Sequence, residues 1–358
     1  MVDRQFWRGK RVLLTGHTGF KGSWLSVWLT EMGAELCGLA LTAPTVPALF
    51  TEAGLAERMV SLTVDIRDAQ AVRQVVQQWQ PEIVIHMAAQ ALVRHSYVDP
   101  VATYATNVLG TVHVLEAARQ VTSLRAVVNV TSDKCYENRE WWWGYREEEA
   151  MGGFDPYSSS KGCAELVTSA YRRSFFASAG VALASVRAGN VIGGGDWATD
   201  RLLPDLLRAF SRGEAVVIRQ PQALRPWQHV LEPLSGYLLL AQHLYREGQG
   251  YAEGWNFGPH EADVRPVQWI VERVSALWGE GATWQQDGGE HPHEAKLLRL
   301  DSSKARMRLG WQPRWALATA LQQCVSWHRG WMAGEDAWQL CRQQIAQYES
   351  TPTDANHG

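Results

Sequence analysis

The 358-residue chain is predicted to be an α/β protein with a doubly wound parallel sheet and a smaller, mostly helical second lobe. Short apolar runs alternate with helical patterns through the first half of the chain, and several of these runs are apolar on both faces. A glycine-rich turn at residues 15–22 separates the first apolar run from the first helical pattern. Strands that are apolar on both faces are typical of parallel sheets covered by helices on both sides.

The predicted elements follow one another in regular order. Strands are expected at residues 12–14, 35–40, 60–64, 83–86, 126–130 and 181–186, and helices at 22–33, 69–80, 100–119 and from 156 onwards. Residues 1–187 are expected to form a dinucleotide-binding domain, to which a segment near 226–260 returns. Residues 188–225 and 261–345 are expected to form the second lobe, with a helix at 202–213 and a strand at 215–219, and residues 346–358 a frayed tail.

Composition narrows the class of protein. A formal net charge of −3, 46% hydrophobic residues and 20% charged residues are typical of a soluble globular protein and give no electrostatic case for binding nucleic acid or an anionic membrane. The five cysteines are scattered with no CxxC pair, so neither a metal site nor a disulfide framework is expected. No signal-peptide core or membrane-spanning run is present, which favours a cytoplasmic location.

The turn at residues 15–22 predicts a dinucleotide site. Gly16 permits a tight turn, Gly19 lets the backbone approach a pyrophosphate, and Gly22 lets the following helix pack closely. The start of that helix supplies amide donors for the phosphate. Thr18, Phe20 and Lys21 lie in the same turn and are expected to contact the cofactor. A purely structural turn is the alternative.

Two further strand ends are expected to reach the cofactor. Asp65 and Ile66 follow the third strand, where Asp65 could bind an adenine amine or simply cap the next helix. Small residues after the fourth strand allow a ligand to approach closely, and the expected contacts are Ala88, Ala89 and Gln90. The second strand ends at residues 39–42 without an acid for the adenosine ribose, so the choice between NAD and NADP stays open.

A tyrosine–lysine pair indicates chemistry on an alcohol. Tyr157 and Lys161 are four residues apart, so on a helix their side chains point the same way. Asp155 is a good N-cap and Pro156 suits the first helical position. A lysine ammonium beside a phenol is expected to lower the phenol pKa towards neutrality, which makes Tyr157 a candidate base. Ser132 could hold the same alcohol oxygen.

Asp133 and Lys134 follow Ser132 at the end of the fifth predicted strand. This second acid–base pair is more than a simple alcohol dehydrogenase needs, and it suggests more than one proton transfer in each turnover. An ordinary surface pair after a strand is the alternative. The end of a parallel strand, however, faces the ligand crevice in this class of sheet.

The second half of the chain carries candidate substrate contacts. Asn190 and Asp196 are expected to bind the polar parts of a ligand, and the glycines ending at Gly195 allow its close approach. Arg201 and Arg225 are candidates for a pyrophosphate, which guanidinium groups bind bidentately. Trp227 could stack on a base or pack in the core.

These motifs together resemble the extended short-chain dehydrogenase/reductase superfamily, which has a Rossmann-type sheet, along nearly the whole chain from residue 15 to residue 313. The closer resemblance is to nucleotide-sugar 4,6-dehydratases, and within them to the branch that uses CDP-glucose. Three strings carry it: Ser132-Asp133-Lys134-Cys135-Tyr136, Arg187-Ala188-Gly189-Asn190-Val191-Ile192-Gly193-Gly194-Gly195-Asp196-Trp197 and Arg225-Pro226-Trp227-Gln228-His229-Val230.

The resemblance implies a closed redox cycle with NAD. Ser132, Tyr157 and Lys161 would form the redox triad and Asp133 would protonate the leaving C6 hydroxyl, giving a 4-keto-6-deoxy sugar for deoxysugar biosynthesis. Relatives acting on dTDP-glucose have Asp and Glu where this chain has Asp133 and Lys134, so Lys134 is either the C5 base or an enolate stabiliser.

The resemblance also implies supporting residues and an assembly. Asn107 would support the cofactor site, with a solvated helix residue as the alternative, and Arg94 and His293 complete the expected substrate-binding set. A homodimer or a dimer of dimers is implied. An epimerase or a dehydratase for another nucleotide sugar is one alternative function, and a non-catalytic dinucleotide-binding scaffold is another.

Overall fold

A computed structural model describes residues 1–287, 289 and 297–352. Its centre is a seven-stranded parallel sheet, which confirms the predicted α/β class. The strands are β1 (Arg11–Thr15), β2 (Glu35–Ala40), β3 (Val60–Thr63), β4 (Ile83–His86), β5 (Ala126–Val130), β6 (Ala182–Ala188) and β7 (Gly254–Phe257). Their order across the sheet is β7-β6-β5-β4-β1-β2-β3.

Helices cover both faces of this sheet and build the second lobe. The longer α-helices are Phe20–Glu31, Ala69–Trp79, Gly110–Ala118, Pro156–Tyr171, Leu202–Ser211, Leu231–Glu247, Val267–Trp278, Leu317–Met332 and Ala337–Ser350. Shorter α-helices are Arg4–Trp7, Leu49–Glu52, Val93–Val98 and Pro100–Tyr104. Single turns of 3₁₀-helix are Leu55–Glu57, Asp133–Cys135, Gly248–Tyr251 and Glu261–Asp263, and π-helical turns are Ala105–Leu109, Arg172–Phe176 and Ala305–Leu309.

The two faces of the sheet enter separate cores, as the pleat requires. Val12 and Leu14 of β1 pack in one hydrophobic cluster with the helices Phe20–Glu31 and Leu231–Glu247. Leu13 of the same strand packs in the other cluster, with Ala69–Trp79 and Gly110–Ala118. Apolar residues on both sides of each strand were the reason for predicting a parallel sheet.

The second lobe has a core of its own. Its cluster joins the helices Leu202–Ser211, Val267–Trp278 and Leu317–Met332. Three two-stranded pairings border it: Val191–Ile192 with Gln228–His229, Leu224–Pro226 with Val264–Pro266, and Val216–Ile218 with Trp284–Gln286.

The expected frayed tail, residues 346–358, is helical as far as Ser350. Residues 337–350 form one helix, Ala337–Ser350, that packs on Phe20–Glu31 of the dinucleotide-binding lobe. Tyr348 is buried edge-on against Trp28, whose indole Nε1 donates to Glu349. The scattered apolar residues of this polar segment pack against residues that are far away in sequence. A local sequence pattern cannot reveal such contacts.

The strand order reverses direction between β1 and β4. Successive crossovers run one way from β1 to β3 and the other way from β4 to β7, so the carboxyl ends of β1 and β4 border a crevice. Ligands bind at such a switch point in open parallel sheets.

Candidate active site

One long cleft of about 1930 Å³ runs along the carboxyl ends of the strands and under the second lobe. It is lined by nearly all the predicted site residues, which are Gly16, Thr18, Gly19, Phe20, Lys21, Gly22, Asp65, Ile66, Ala88, Ala89, Gln90, Arg94, Ser132, Asp133, Lys134, Tyr157, Lys161, Asn190, Gly195, Asp196, Arg201, Arg225 and Trp227. Asn107 does not line it. His293 lies outside the described residues, as does His291.

The glycine turn has the shape that a dinucleotide phosphate needs. Gly16 has φ +80°, and an added Cβ would lie 2.8 Å from the Ala88 amide nitrogen. A Cβ on Gly22 would lie 2.1 Å from the Gly16 carbonyl oxygen, so only glycine lets the helix start there. Gly19, by contrast, would meet nothing closer than 3.4 Å. Its missing side chain therefore leaves space open at the start of Phe20–Glu31, where backbone amides face the cleft.

Thr15 and His86 tie this turn to β4. The Thr15 hydroxyl lies 2.7 Å from His86 Nδ1 and accepts hydrogen bonds from the amides of Met87 (3.0 Å) and Ala88 (3.1 Å). Burial lowers the pKa of His86 to about 3, so the imidazole is neutral. The two strand ends that border the switch point are thus held together by neutral hydrogen bonds.

Asp65 is not a helix cap. Its carboxylate accepts from the backbone amide and the guanidinium of Arg67, and Asp68 caps the helix Ala69–Trp79 instead. Asp65 and the buried Ile66 line the cleft beside β2 and β3, where the adenine was expected. The hydrogen bonds with Arg67 hold the pKa of Asp65 below its usual range, so it is an anion.

Asn107 is buried and supports the site from behind. Its Oδ1 accepts from the Gln90 amide (2.8 Å), and its Nδ2 donates to the Gln90 carbonyl (3.0 Å) and to Ser160 Oγ (2.9 Å). The alternative of a solvated helix residue is therefore wrong. Asn107 joins the cleft loop after β4 to the helix that carries Tyr157 and Lys161, and it reaches the cleft only through Gln90.

Asp133 is buried in the cleft with one carboxylate oxygen unsatisfied. Its Oδ1 accepts from Ser132 Oγ (3.1 Å), while its Oδ2 has no hydrogen-bond partner among the described residues. Burial raises the pKa of Asp133 above its usual range, although Lys134, Ser132 and Arg225 oppose the rise. The group is therefore suited to carry a proton and donate it into the cleft.

The expected lowering of the Tyr157 pKa is wrong for this structure. Asp155 does cap the helix Pro156–Tyr171, which places Tyr157 and Lys161 on one face as predicted. Burial nevertheless raises the pKa of Tyr157 to about 12, opposed by a hydrogen bond with Ser132. Lys161 Nζ instead donates to the carbonyl of Val130 (3.4 Å). Desolvation of the phenol is the largest cause of this rise.

Lys21 adds a second lysine amino group to the lining of the cleft. Its Nζ donates to Tyr237 Oη (3.1 Å) of the helix Leu231–Glu247. Burial, together with the charges of Lys161 and Arg201, lowers the pKa of Lys21 to about 7, with Asp133 opposing this. Tyr237 was not predicted as a site residue, because it lies 216 positions away in an ordinary apolar helix pattern.

The substrate end holds its arginines in ion pairs. Arg201 pairs with the buried Asp196 (2.9 Å) and Arg94 with the exposed Asp200 (3.2 Å). Trp227 lines the cleft and also packs in the core of the second lobe, so both expected roles are compatible with its position. Its indole Nε1 has no hydrogen-bond partner among the described residues.

Two further charged side chains lie behind residues 132–135, which we call the catalytic segment. Neither was predicted as a site residue. Glu165 and Arg187 form a buried ion pair (2.8 Å). Glu165 comes one helical turn after Lys161, and Arg187 lies in β6. The signal available in the sequence was a glutamate four residues after the lysine, which by itself is ordinary helix composition.

A match to a protein-family model supports the 4,6-dehydratase family that the sequence motifs suggest. The model for GDP-mannose 4,6 dehydratase matches residues 13–324, which include the glycine turn, the Ser132–Lys134 segment and the Tyr157–Lys161 pair. The chain belongs to this family. A curated relative, the CDP-glucose 4,6-dehydratase of Salmonella typhimurium, is 60% identical over 99% of this chain and 100% of its own length.

Solved structures show the same fold. A UDP-glucose 4-epimerase of Thermus thermophilus in complex with NAD matches with a TM-score of 0.76 at 24% identity, over 89% of this chain and 99% of its own. A dTDP-glucose 4,6-dehydratase of Bacillus anthracis in complex with NAD matches with a TM-score of 0.74 at 19% identity, over 92% and 100%.

The described residues contain neither a membrane-crossing helix nor a metal-binding cluster. No helix in residues 1–287 or 297–352 is long and apolar enough to cross a membrane. Nor do the His, Cys, Asp and Glu side chains in those ranges gather in groups that could hold a metal ion.

Proposed function

We propose that this chain is a CDP-glucose 4,6-dehydratase that converts CDP-glucose to CDP-4-keto-6-deoxyglucose and water. The observation that carries the proposal is Asp133, a buried carboxyl with one oxygen that has no hydrogen-bond partner among the described residues, in a residue that lines the cleft together with Ser132 and Tyr157. An epimerase needs no acid for a leaving hydroxyl, whereas a dehydratase does. The 60% identical relative, named for this reaction, supports the choice of substrate.

The cofactor site fits NAD. Gly19 leaves room for a pyrophosphate at the start of a helix, and Ile66, Ala88 and Ala89 line the path across the switch point. Held there by the glycine turn and the residues after β4, NAD would supply the hydride acceptor for sugar C4 and the hydride donor for C6. The second strand has no acid for the ribose, so the preference for NAD rests on the relatives in complex with it.

The residues of the chain move the protons. Tyr157, in its phenolate form, accepts the proton of the C4 hydroxyl while Ser132 holds that oxygen. Burial opposes this form, whereas the hydrogen bond with Ser132 favours it, and so does the cationic charge of Lys161. The C4 ketone makes the C5 proton acidic. Asp133 then gives its proton to the departing C6 oxygen, which leaves as water, and the C5 proton passes to a base. A proton returns from that base to C5 when hydride reaches C6, which completes the 4-keto-6-deoxy sugar. Lys134 is that base or stabilises the enolate oxygen.

The chain is proposed to act as a homodimer or a dimer of dimers in the cytoplasm. Apolar side chains are exposed on the outer face of the helices beside the Tyr157 helix, among them Tyr97, Val98, Val101 and Leu109, and Leu166 is exposed on that helix itself. Exposed apolar area of this kind is typical of an interface between subunits.

A panel of nucleotide sugars tests the function. The purified chain is incubated with NAD and CDP-, dTDP-, GDP- or UDP-glucose, and the 4-keto product is followed by its absorbance in strong base. We expect product from CDP-glucose and none from a Tyr157→Phe variant. Product from another nucleotide sugar alone would refute the substrate, and full turnover by Tyr157→Phe would refute the mechanism.

A further inference from the structure

The helix that carries Tyr157 and Lys161 has a third polar residue on its buried side. Glu165 follows Lys161 by one turn and is 5% exposed. Its Oε1 accepts from Thr131 Oγ1 (2.5 Å) and Arg187 Nε (2.9 Å), and its Oε2 accepts from Ser185 Oγ (2.6 Å) and Arg187 Nη2 (2.8 Å). Four donors thus satisfy a carboxylate that never reaches the cleft.

Arg187 extends this network to the other side of the catalytic segment. Its Nη1 donates to Tyr136 Oη (2.6 Å) and to the Glu147 carbonyl (2.9 Å), and Tyr136 Oη donates to Asn256 Oδ1 (2.8 Å) in β7. Thr131 and Tyr136 enclose residues 132–135 in sequence. Both ends of the segment that presents Ser132, Asp133 and Lys134 are therefore fixed by the same ion pair.

Lys161 lies within the field of several groups. Tyr157 and Glu165 are on its own helix, Cys135 is on the catalytic segment, Lys21 is on the first helix of the sheet and His86 is on β4. Burial lowers the pKa of Lys161 to about 8, and the charge of Glu165, followed by Cys135, opposes that change. Lys161 is therefore still a cation at neutral pH.

We propose that the buried Glu165–Arg187 pair is a positioning device for the active site. Glu165 keeps Lys161 charged, and the pair holds the catalytic segment in place through Thr131 and Tyr136. Neither residue touches the reacting atoms. Lys161 matters because, in the proposed function on which this inference rests, its charge favours the Tyr157 phenolate.

The test measures the titration of Lys161 directly. The chain has six lysines, so selective ¹³Cε labelling gives few signals, and Lys161→Met assigns the signal of interest. The variants are Glu165→Gln and the double variant Glu165→Gln with Arg187→Gln. The double variant leaves no unpaired buried charge, so it is the better folded of the two. Ser185→Ala, which removes one hydrogen bond but leaves the carboxylate charge, is the matched control.

In Glu165→Gln we expect the midpoint of Lys161 to fall by about one pH unit, because the nearby negative charge is gone while Arg187 keeps its positive charge. The double variant, which loses both charges, should shift the midpoint less, and Ser185→Ala should keep the wild-type midpoint. A folded Glu165→Gln variant with the wild-type midpoint would overturn the proposal. So would a wild-type chain in which Lys161 is already neutral at pH 7, which needs no variant at all.

This titration needs no substrate, so it separates the two proposals. A chain in which Lys161 titrates as expected but CDP-glucose is not converted would refute the proposed function and leave the role of Glu165 intact. A chain that converts CDP-glucose with an unshifted Lys161 midpoint in Glu165→Gln would refute only the positioning role.

Discussion

Asp133 and Glu165 are two buried carboxyls close to the same strand end, yet they differ in every electrostatic respect. Asp133, 2% exposed, faces the cleft, and Glu165, 5% exposed, lies behind the strand. One oxygen of Asp133 has no partner among the described residues, and burial raises its pKa. Glu165 is equally buried, but Arg187, Ser185 and Thr131 hold its pKa below the usual range.

Burial alone therefore does not decide whether a carboxyl carries its proton. Burying a carboxylate disfavours its charge, and only donors and an opposite charge can reverse this. Where they are supplied, the carboxylate is an anion that organises its neighbours. Where they are too few to offset burial, as at Asp133, the pKa of the carboxyl rises and the group is better suited to donate a proton, which is how two carboxyls in one site take different roles.

Removal of the proton donor should have the largest effect. In Asp133→Asn we expect kcat for water loss to fall by about 10²–10⁴-fold, because the departing C6 oxygen has no acid. Oxidation at C4 should survive, since it uses Tyr157, and the absorbance of reduced nicotinamide after mixing with CDP-glucose reports it. A variant that releases 4-keto product at the wild-type rate would show that Asp133 is not the acid.

The two carboxyls should have opposite effects on stability. Glu165→Gln leaves Arg187 buried without its partner, so the free energy of unfolding should fall by about 3–5 kcal/mol. Asp133→Asn replaces an unsatisfied carboxyl with a neutral amide and should leave that free energy unchanged or raise it by about 1 kcal/mol. Urea unfolding of both variants measures the contrast. Equal losses in the two variants would contradict the comparison.

Lys134 should tune the acid by its charge. The protonated form of Asp133 is the active one, so activity is complete below its pKa and falls as pH rises through it. Lys134 lowers that pKa. In Lys134→Gln the falling limb of the kcat profile should therefore move to higher pH, by up to about one unit. The expectation fails if the limb moves to lower pH, and Lys134→Arg, which keeps the charge, is the control.

Arg225 should act on Asp133 in the same direction but more weakly. Its charge also lowers the pKa of Asp133, but by less than the charge of Lys134 or the hydrogen bond from Ser132 does. Arg225→Gln should move the falling limb of the kcat profile to higher pH, by less than Lys134→Gln does. It should also raise KM for CDP-glucose, because Arg225 lines the substrate end of the cleft. A pH profile of kcat and KM tests both effects, and an unchanged KM would remove Arg225 from the substrate site.

Much of the fold followed from local patterns. The strands β1 to β6 were predicted to within two residues at their ends, because runs apolar on both faces are legible over five or six positions. The seventh strand, Gly254–Phe257, was placed only within a returning segment, since Trp255 and Phe257 stand among polar neighbours and pair with β6 some seventy positions earlier. The helix Ala337–Ser350 was missed in part for the same reason.

The site shows the same contrast between features set by a few neighbouring residues and features set by distant contacts. Gly16, Gly19 and Gly22 could be assigned from spacing, because the demands of a tight turn on the backbone are local. The pKa of Tyr157 could not, since an (i, i+4) spacing brings Lys161 to the same face but does not tell where its ammonium points. Glu165, Arg187 and Tyr237 were missed because their partners come from other strands and helices.

The order of strands and helices, the phosphate turn and the residues proposed to do the chemistry could all be read from the amino-acid sequence alone. These depend on side-chain periodicity and backbone conformation over a few residues. Three features are visible only in the three-dimensional fold: the opposite pKa shifts of Asp133 and Glu165, the contacts of the lysine ammonium groups, and the hydrogen bonds that support the catalytic segment. Electrostatic energies depend on burial and on donors brought together from distant parts of the chain, and no local pattern contains that information.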